Sequence, residues 1–213
     1  MIRVTAFRWV PPFARGQVRD LRVRWALEEA GLPYEERLIG AEDQRSADYR
    51  KQQPFGQVPV YEEDDLVLFE SGAIVLHVAE KSEVLMPADP HGRARVRAWL
   101  FAALSSIEPM LMNVAQIQLF DADEEWAKLR RPSAIDVATV RLKALSDWLG
   151  DAEYLEGGCF TAADLLMTTV LRIAHGTGLL AELPTLDAYR LRGEARPAFQ
   201  RALAAQLAAF SES

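Results

Sequence analysis

Two residue pairs in the stretch QPFGQVPVYEEDDLVLFESGAIVLHVAEK, residues 53–81, have the types and spacing to hold a peptide-like, zwitterionic ligand: Val58–Pro59 and Glu70–Ser71. A proline is tolerated at the start or edge of a strand, because it has no N–H to give a neighbour. Such an edge leaves the N–H and C=O of Val58 available to pair with the backbone of an extended ligand. Glu70 and Ser71 fall where a strand gives way to a helix. The amides of a helix start, together with the Ser71 hydroxyl, suit a carboxylate, and Glu70 suits an ammonium. Taken singly, these residues read more readily as a helix cap and an edge strand; the chemistry rests on their conjunction.

The surrounding pattern supplies the elements that must hold these pairs. Residues 2–9 alternate apolar and polar and predict a first strand, ended by Pro11 and Pro12. Residues 14–30 have helical spacing, with Val18, Leu21 and Trp25 in one row and Val23, Ala26, Leu27 and Ala30 in another. Gly31 and Pro33 end that helix. A second strand is predicted over 34–39 and a short polar helix over 43–51. Residues 58–61 and 66–69 predict an antiparallel hairpin, and 71–81 a helix. The order β-α-β-α-β-β-α makes the first two strands parallel, with a right-handed crossover. Residues 83–92 predict a linker, and helical patterns fill the remainder at 93–120, 132–149, 161–175, 185–192 and 197–210. The expected fold is an α/β domain over 1–82 followed by an all-α domain over 93–213.

Charge narrows the function classes. The 213 residues carry 24 Lys and Arg against 31 Asp and Glu, a net charge of −7 with no basic stripe, which argues against nucleic-acid binding. No run of about 18 apolar residues predicts a membrane span. The N-terminus MIRVTAFRW lacks the features of a secretion signal, and a lone cysteine, Cys159, cannot form an internal disulfide, so a reducing, cytoplasmic location is expected. Three scattered histidines and one cysteine make a metal site improbable. Cys159 reads as a buried small hydrophobe ahead of a core helix, His77 as a packing or surface residue, and His175 as a residue near a helix C-terminus.

The 53–81 segment resembles the glutathione-binding region of cytosolic glutathione transferases, bacterial in type and of unassigned class. The resemblance is carried by Gln53–Pro54–Phe55–Gly56–Gln57, Val58–Pro59 and Glu70–Ser71. RVRWALEEAGLPYE, residues 22–35, is similar to the family's first helix and turn. FTAADLLMTTVL, residues 160–171, is similar to a capping motif of its helical domain, with Thr161 and Asp164 as the capping pair. The resemblance implies a thioredoxin-like first domain, a cis Val58–Pro59 bond, glutathione as cosubstrate and a homodimer. It implies that Val58 pairs with the cysteinyl backbone, that Glu70 and Ser71 hold the γ-glutamyl end, and that Phe13, Gln57 and Pro59 adjoin the ligand. Gln44 and Arg45 fall where the family places polar or basic residues for the glycine carboxylate.

The implied reaction is attack of a bound glutathione thiolate on a small, mainly apolar electrophile. A free thiol near pKa 8.5 is mostly protonated at neutral pH, and lowering it by ~2 units takes about 2.7 kcal/mol. The family supplies this with a Tyr, Ser or Cys after the first strand, but Trp9–Val10–Pro11–Pro12–Phe13–Ala14–Arg15–Gly16–Gln17 contains none of these. The hydroxyl position falls on Ala14 counting from the strand and on Gln17 counting from the helix. Three answers stay open: the Arg15 guanidinium, backbone N–H groups of 14–17 at a helix N-terminus, or no stabiliser at all. Trp9, Phe13, Met110, Leu111, Val114, Phe120 and His175 are candidates for a pocket for the second substrate. Two rival functions accompany this reading: a glutathione-dependent peroxidase or isomerase, and a non-catalytic glutathione-binding or regulatory protein of the same fold.

Overall fold

The computed structural model describes residues 1–156 and 158–210. It divides into two compact units, residues 1–86 with 195–213, and residues 87–194. The sequence pattern places every residue from 93 on in the second domain. The structure instead assigns the last helix, Pro197–Ala209, to the first unit.

The first unit is thioredoxin-like. Its elements are β1 (Ile2–Phe7), α1 (Asp20–Ala30), β2 (Tyr34–Ile39), α2 (Ala41–Arg45), α3 (Ala47–Gln52), β3 (Val60–Glu63), β4 (Leu66–Phe69) and α4 (Ser71–Ala79). The sheet order is β2-β1-β3-β4, with β1 and β2 parallel and the other pairs antiparallel. The predicted parallel pair and antiparallel hairpin are present, and the helix expected over 43–51 is two helices, α2 and α3.

One boundary moves for a clear reason. The helix expected from residue 14 begins at Asp20, after a short 3₁₀ turn at Pro12–Ala14. Gly16 sits at φ 75°, a left-handed value that no right-handed helix contains. Residues Asp20 to Leu27 of α1 are all buried. The charged residues among them therefore need partners. Asp20 pairs with Arg24 at 2.7 Å, and Arg24 also meets Glu36.

The C-terminal helix α10 (Pro197–Ala209) is one source of this burial. Phe199 meets Trp25 edge-on with ring centroids 4.9 Å apart. Arg196 forks onto Glu29 at 2.6 and 2.8 Å, and Arg201 meets Glu28 at 2.6 Å. The buried Gln206 amide donates to Asp20 Oδ1 at 2.7 Å and to the Val18 carbonyl at 3.1 Å.

The second unit is helical: α5 (Pro90–Phe101), α6 (Glu108–Ala115), α7 (Glu125–Leu149), α8 (Ala162–Gly176) and α9 (Pro184–Glu194). Wide-turn segments at Ala102–Ile107 and Gln116–Phe120 continue α5 and α6. The predicted linker loses its last three residues to α5, which Asp89 caps by accepting from the Gly92 N–H at 2.7 Å. The stretch Pro90–Phe120 is long and apolar enough, by length and composition alone, to cross a membrane. A core helix has the same composition, and here Val96, Leu100, Ala103, Ile107, Leu111 and Val114 are buried. Pro132, expected at a helix start, lies inside α7.

The capping pair is realised in this unit. Asp164 accepts from the N–H groups of Thr161 and Leu155, each at 2.9 Å, and from the Thr161 and Tyr189 hydroxyls at 3.0 and 2.8 Å. Burial raises the Asp164 pKa while these four donors pull it back. Cys159, expected to be buried, is exposed; it lies on the loop that precedes the cap.

Candidate functional site

Strand register brings the candidate segments to one end of the sheet. Phe7 is the last residue of β1 and pairs with Ile39, the last of β2. β1 runs antiparallel to β3 with Val4 opposite Tyr61, so the same register carries Phe7 toward Val58. In the β3–β4 hairpin Val60 faces Phe69, which carries Val58 toward Ser71. Segments 8–17, 40–45, 56–59 and 70–71 therefore meet beyond the carboxyl ends of β1 and β2, where α/β sheets bind their ligands.

At the middle of this end the Val58–Pro59 bond is cis. The Val58 side chain packs into a core with Ile39, Tyr49 and Val60, so its backbone is what remains for another chain. No hydrogen bond joins the Val58 N–H or C=O to another described residue. The turn before it is held by side chains of α2 and α3. The Tyr49 hydroxyl donates to the Gln57 carbonyl at 2.6 Å, Gln44 Nε2 to the Gly56 carbonyl at 2.6 Å, and Arg50 to the Pro54 carbonyl at 2.9 Å. Gly56 lies at φ 65°, and a Cβ there would sit 2.7 Å from the Arg50 guanidinium carbon. Gln44, read from sequence as a carboxylate ligand, thus has a second task as a clamp on this turn, while Arg45 is exposed. Tyr49 and Arg50 were not singled out in the sequence, where they are two polar residues of a short helix.

At the hairpin end Glu70 is exposed and adopts φ 69°, ψ 112°, a conformation costly for any residue with a side chain. Ser71 is buried at the first position of α4, a nine-residue helix whose opening amides point along its axis beyond its N-terminus. Its Oγ accepts a hydrogen bond from Arg22 Nη1 at 3.3 Å. Arg22 is 4% exposed and reaches Ser71 across 49 residues of sequence. In the sequence Arg22 looked like an ordinary charge on an amphipathic helix. The signal that marks it is its place between apolar residues of a helix buried all round.

The segment after β1 reads differently in the structure. The backbone N–H groups of Ala14, Arg15 and Gln17 donate to Pro11, Pro12 and Ala14 carbonyls at 2.9, 3.3 and 3.0 Å. These three amides are bonded within the turn. The helix N-terminus lies further on, where the buried Asp20 already occupies the first turn of α1. Of the sequence readings for this segment, the backbone one expects a helix N-terminus at 14–17, and the structure has a turn there instead. The Arg15 and Gln17 side chains are exposed, and Phe13 and Trp9 are 64% and 57% exposed.

The expected second-substrate residues separate. Leu111 and Val114 are 0% and 1% exposed in the interior of the helical unit and present no surface to a ligand, because both lie on the inward face of α6. Met110 is half-buried and Phe120 exposed. His175 is exposed on the last turn of α8, 3.8 Å from Asp187 Oδ1. His77 packs edge-on against Tyr61 and lies 3.3 Å from Glu63. Among the described residues no group of three His, Cys, Asp or Glu side chains is placed to hold a metal ion.

The fold and this strand-end site define a thioredoxin-like domain carried with a helical one. The family profile described as "Glutathione S-transferase, N-terminal domain" matches residues 13–80. A glutathione S-transferase of Hyoscyamus muticus is 32% identical over 208 residues, covering 86% of this chain and 92% of its own length. Glutathione S-transferase 4 of Zea mays is 31% identical over 188 residues, covering 83% of each chain. Among solved structures, a glutathione transferase family member from Pseudomonas fluorescens Pf-5, with two glutathione bound, superposes with a TM-score of 0.82. It is 25% identical, and the match covers 95% of this chain and 92% of that one. The chain belongs to the glutathione S-transferase family.

Proposed function

We propose that this protein binds glutathione across the Val58 edge and the Glu70–Ser71 helix start, and conjugates its thiolate to small, mainly apolar electrophiles. The observation that carries the reading is the convergence of a backbone edge at Val58 with a buried serine at the opening of α4. One suits the peptide middle of the ligand and the other its carboxylate. Glutathione bound to the Pseudomonas fluorescens relative supports the same choice of ligand. In this reading Gln57, Pro59 and Phe13 border the peptide, Gln44 and Arg45 lie toward the glycine carboxylate, and Arg15 is the side chain offered to the sulfur. A cytoplasmic homodimer acting in detoxification completes the proposal.

A second reading is favoured by a specific observation. The 9–17 segment has no hydroxyl or thiol side chain, and three of its amides are bonded internally. On that ground the protein binds glutathione without efficient turnover. The test is the ultraviolet absorbance of bound thiolate as a function of pH, followed by a panel of aryl halides, epoxides, isothiocyanates and hydroperoxides. Transferase chemistry predicts a bound thiol pKa lowered by ~1–2 units, raised again in Arg15→Gln, and turnover of at least one electrophile. An unshifted pKa with no turnover leaves the binding role. Turnover confined to hydroperoxides points to a peroxidase.

A further inference from the structure

We propose that Arg22 is a positioning residue for the γ-glutamyl end of bound glutathione, fixing the Ser71 hydroxyl as a donor to the ligand's α-carboxylate. The inference rests on the glutathione reading above and adds a residue to it. A guanidinium has donors and no acceptor, so at 3.3 Å from Nη1 the Ser71 oxygen must be the acceptor. That bond takes one lone pair and leaves the hydroxyl's own hydrogen to point elsewhere. Ser71 Oγ has no other hydrogen-bond partner among the described residues. The hydrogen is therefore held for whatever occupies the opening of α4.

Burial strengthens the arrangement. Arg22 is 4% exposed and Ser71 5% exposed, so the positive charge acts on the hydroxyl with little screening by water. A hydroxyl that accepts from a cation is a better donor to an anion beyond it. The chain of groups runs from guanidinium to hydroxyl to carboxylate, with the α4 amides beside it. Arg22 comes from α1 and Ser71 from α4, so the packing of the two helices sets the geometry of the carboxylate subsite.

The test compares two ligands on the same protein by calorimetry: glutathione, and 4-aminobutanoyl-cysteinylglycine, which keeps the ammonium but lacks the γ-glutamyl α-carboxylate. Wild-type protein is expected to prefer glutathione. Arg22→Met is expected to weaken glutathione about tenfold, the range for a hydrogen bond involving a charged group, and to leave the analogue within about twofold. In an Ser71→Ala background the same change is expected to have little further effect, because the relay is already broken. Both affinities come from one sample, so a fraction of unfolded protein alters stoichiometry and not their ratio. If Arg22→Met gives no cooperative melting transition, Arg22→Gln carries the same comparison. Equal weakening of both ligands, full additivity with Ser71→Ala, or unchanged glutathione affinity overturns the assignment. Wild-type protein that binds neither ligand overturns the glutathione reading itself, a result distinct from wild-type binding with an inert Arg22.

Discussion

Glu70 holds φ 69° without being a glycine, and it does so at the mouth of the proposed site. Strain of this kind costs roughly 1–3 kcal/mol and persists where the surroundings impose it. Glu70→Gly is therefore expected to raise stability by up to about 1 kcal/mol, after the entropy cost of glycine is subtracted. The same change removes the carboxylate placed for an ammonium, so glutathione affinity is expected to fall. Chemical denaturation and calorimetry on one preparation read the two effects; a variant that loses stability and keeps affinity contradicts both roles.

Glu63 gives a pH-dependent prediction. Hydrogen bonds from Lys81, then Tyr61, lower its pKa from 4.5 to about 2. A carboxylate with a depressed folded-state pKa stabilises the protein above its unfolded value, and the contribution is lost as pH falls through the folded one. The stability curve of the wild type should therefore slope down between about 4.5 and 2, and Glu63→Gln should flatten part of that slope. The side chain is 27% exposed, so the effect is at most about 1 kcal/mol. Identical slopes in the two proteins would remove this pairing from the acid response.

At the scale of elements, the strands and most helices were legible from period and punctuation. The hairpin at 60–69 and the helix at 71–79 follow from alternation and an acidic turn. The start of α1 was not, because residues 14–19 continue a helical spacing while Gly16 turns the backbone the other way. Pro132 was read as a helix start, since proline suits the first turn. In α7 its missing N–H forfeits one bond that the long helix, extended by Glu125 to Arg131, sustains. The placement of α10 was illegible because its anchors span up to 188 residues of sequence. Arg196→Ala is expected to cost about 2 kcal/mol, since it leaves Glu29, 6% exposed, without its charged partner. Urea unfolding measures this, and a loss below about 0.5 kcal/mol would mean that Trp25 Nε1 alone satisfies Glu29.

The α8–α9 contact offers a sharper packing test. A Cβ on Gly193 would collide with the Thr168 side chain. Gly193→Ala is therefore expected to destabilise the helical unit by about 1–3 kcal/mol, although alanine is the better helix former. A stabilised variant would show that the two helices separate freely there.

At the scale of the whole molecule, one half of the proposed site was written in local sequence and the other was not. Val58–Pro59 and Glu70–Ser71 are contiguous pairs with their own chemistry, and the sheet register brings them to one end. Arg22 acts through a contact 49 residues away, and Tyr49 and Arg50 through bonds to a turn four to eight residues on, whose shape hydrophobic periodicity does not encode. The helix end expected at 14–17 was hidden in the same way, since the chain forms a turn there and α1 begins at Asp20. The burial of Leu111 and Val114 was equally hidden, because helical spacing marks a face without saying what covers it.

The central claim is that glutathione is held by its carboxylate at Ser71 and by its backbone at Val58. Calorimetric titration of glutathione into the wild-type protein and into Ser71→Ala tests it most directly. The account predicts saturable binding to the wild type and a loss of about tenfold or more in Ser71→Ala, with the melting transition of the unliganded protein retained. Equal affinity in the two proteins, or no binding to the wild type, would contradict it.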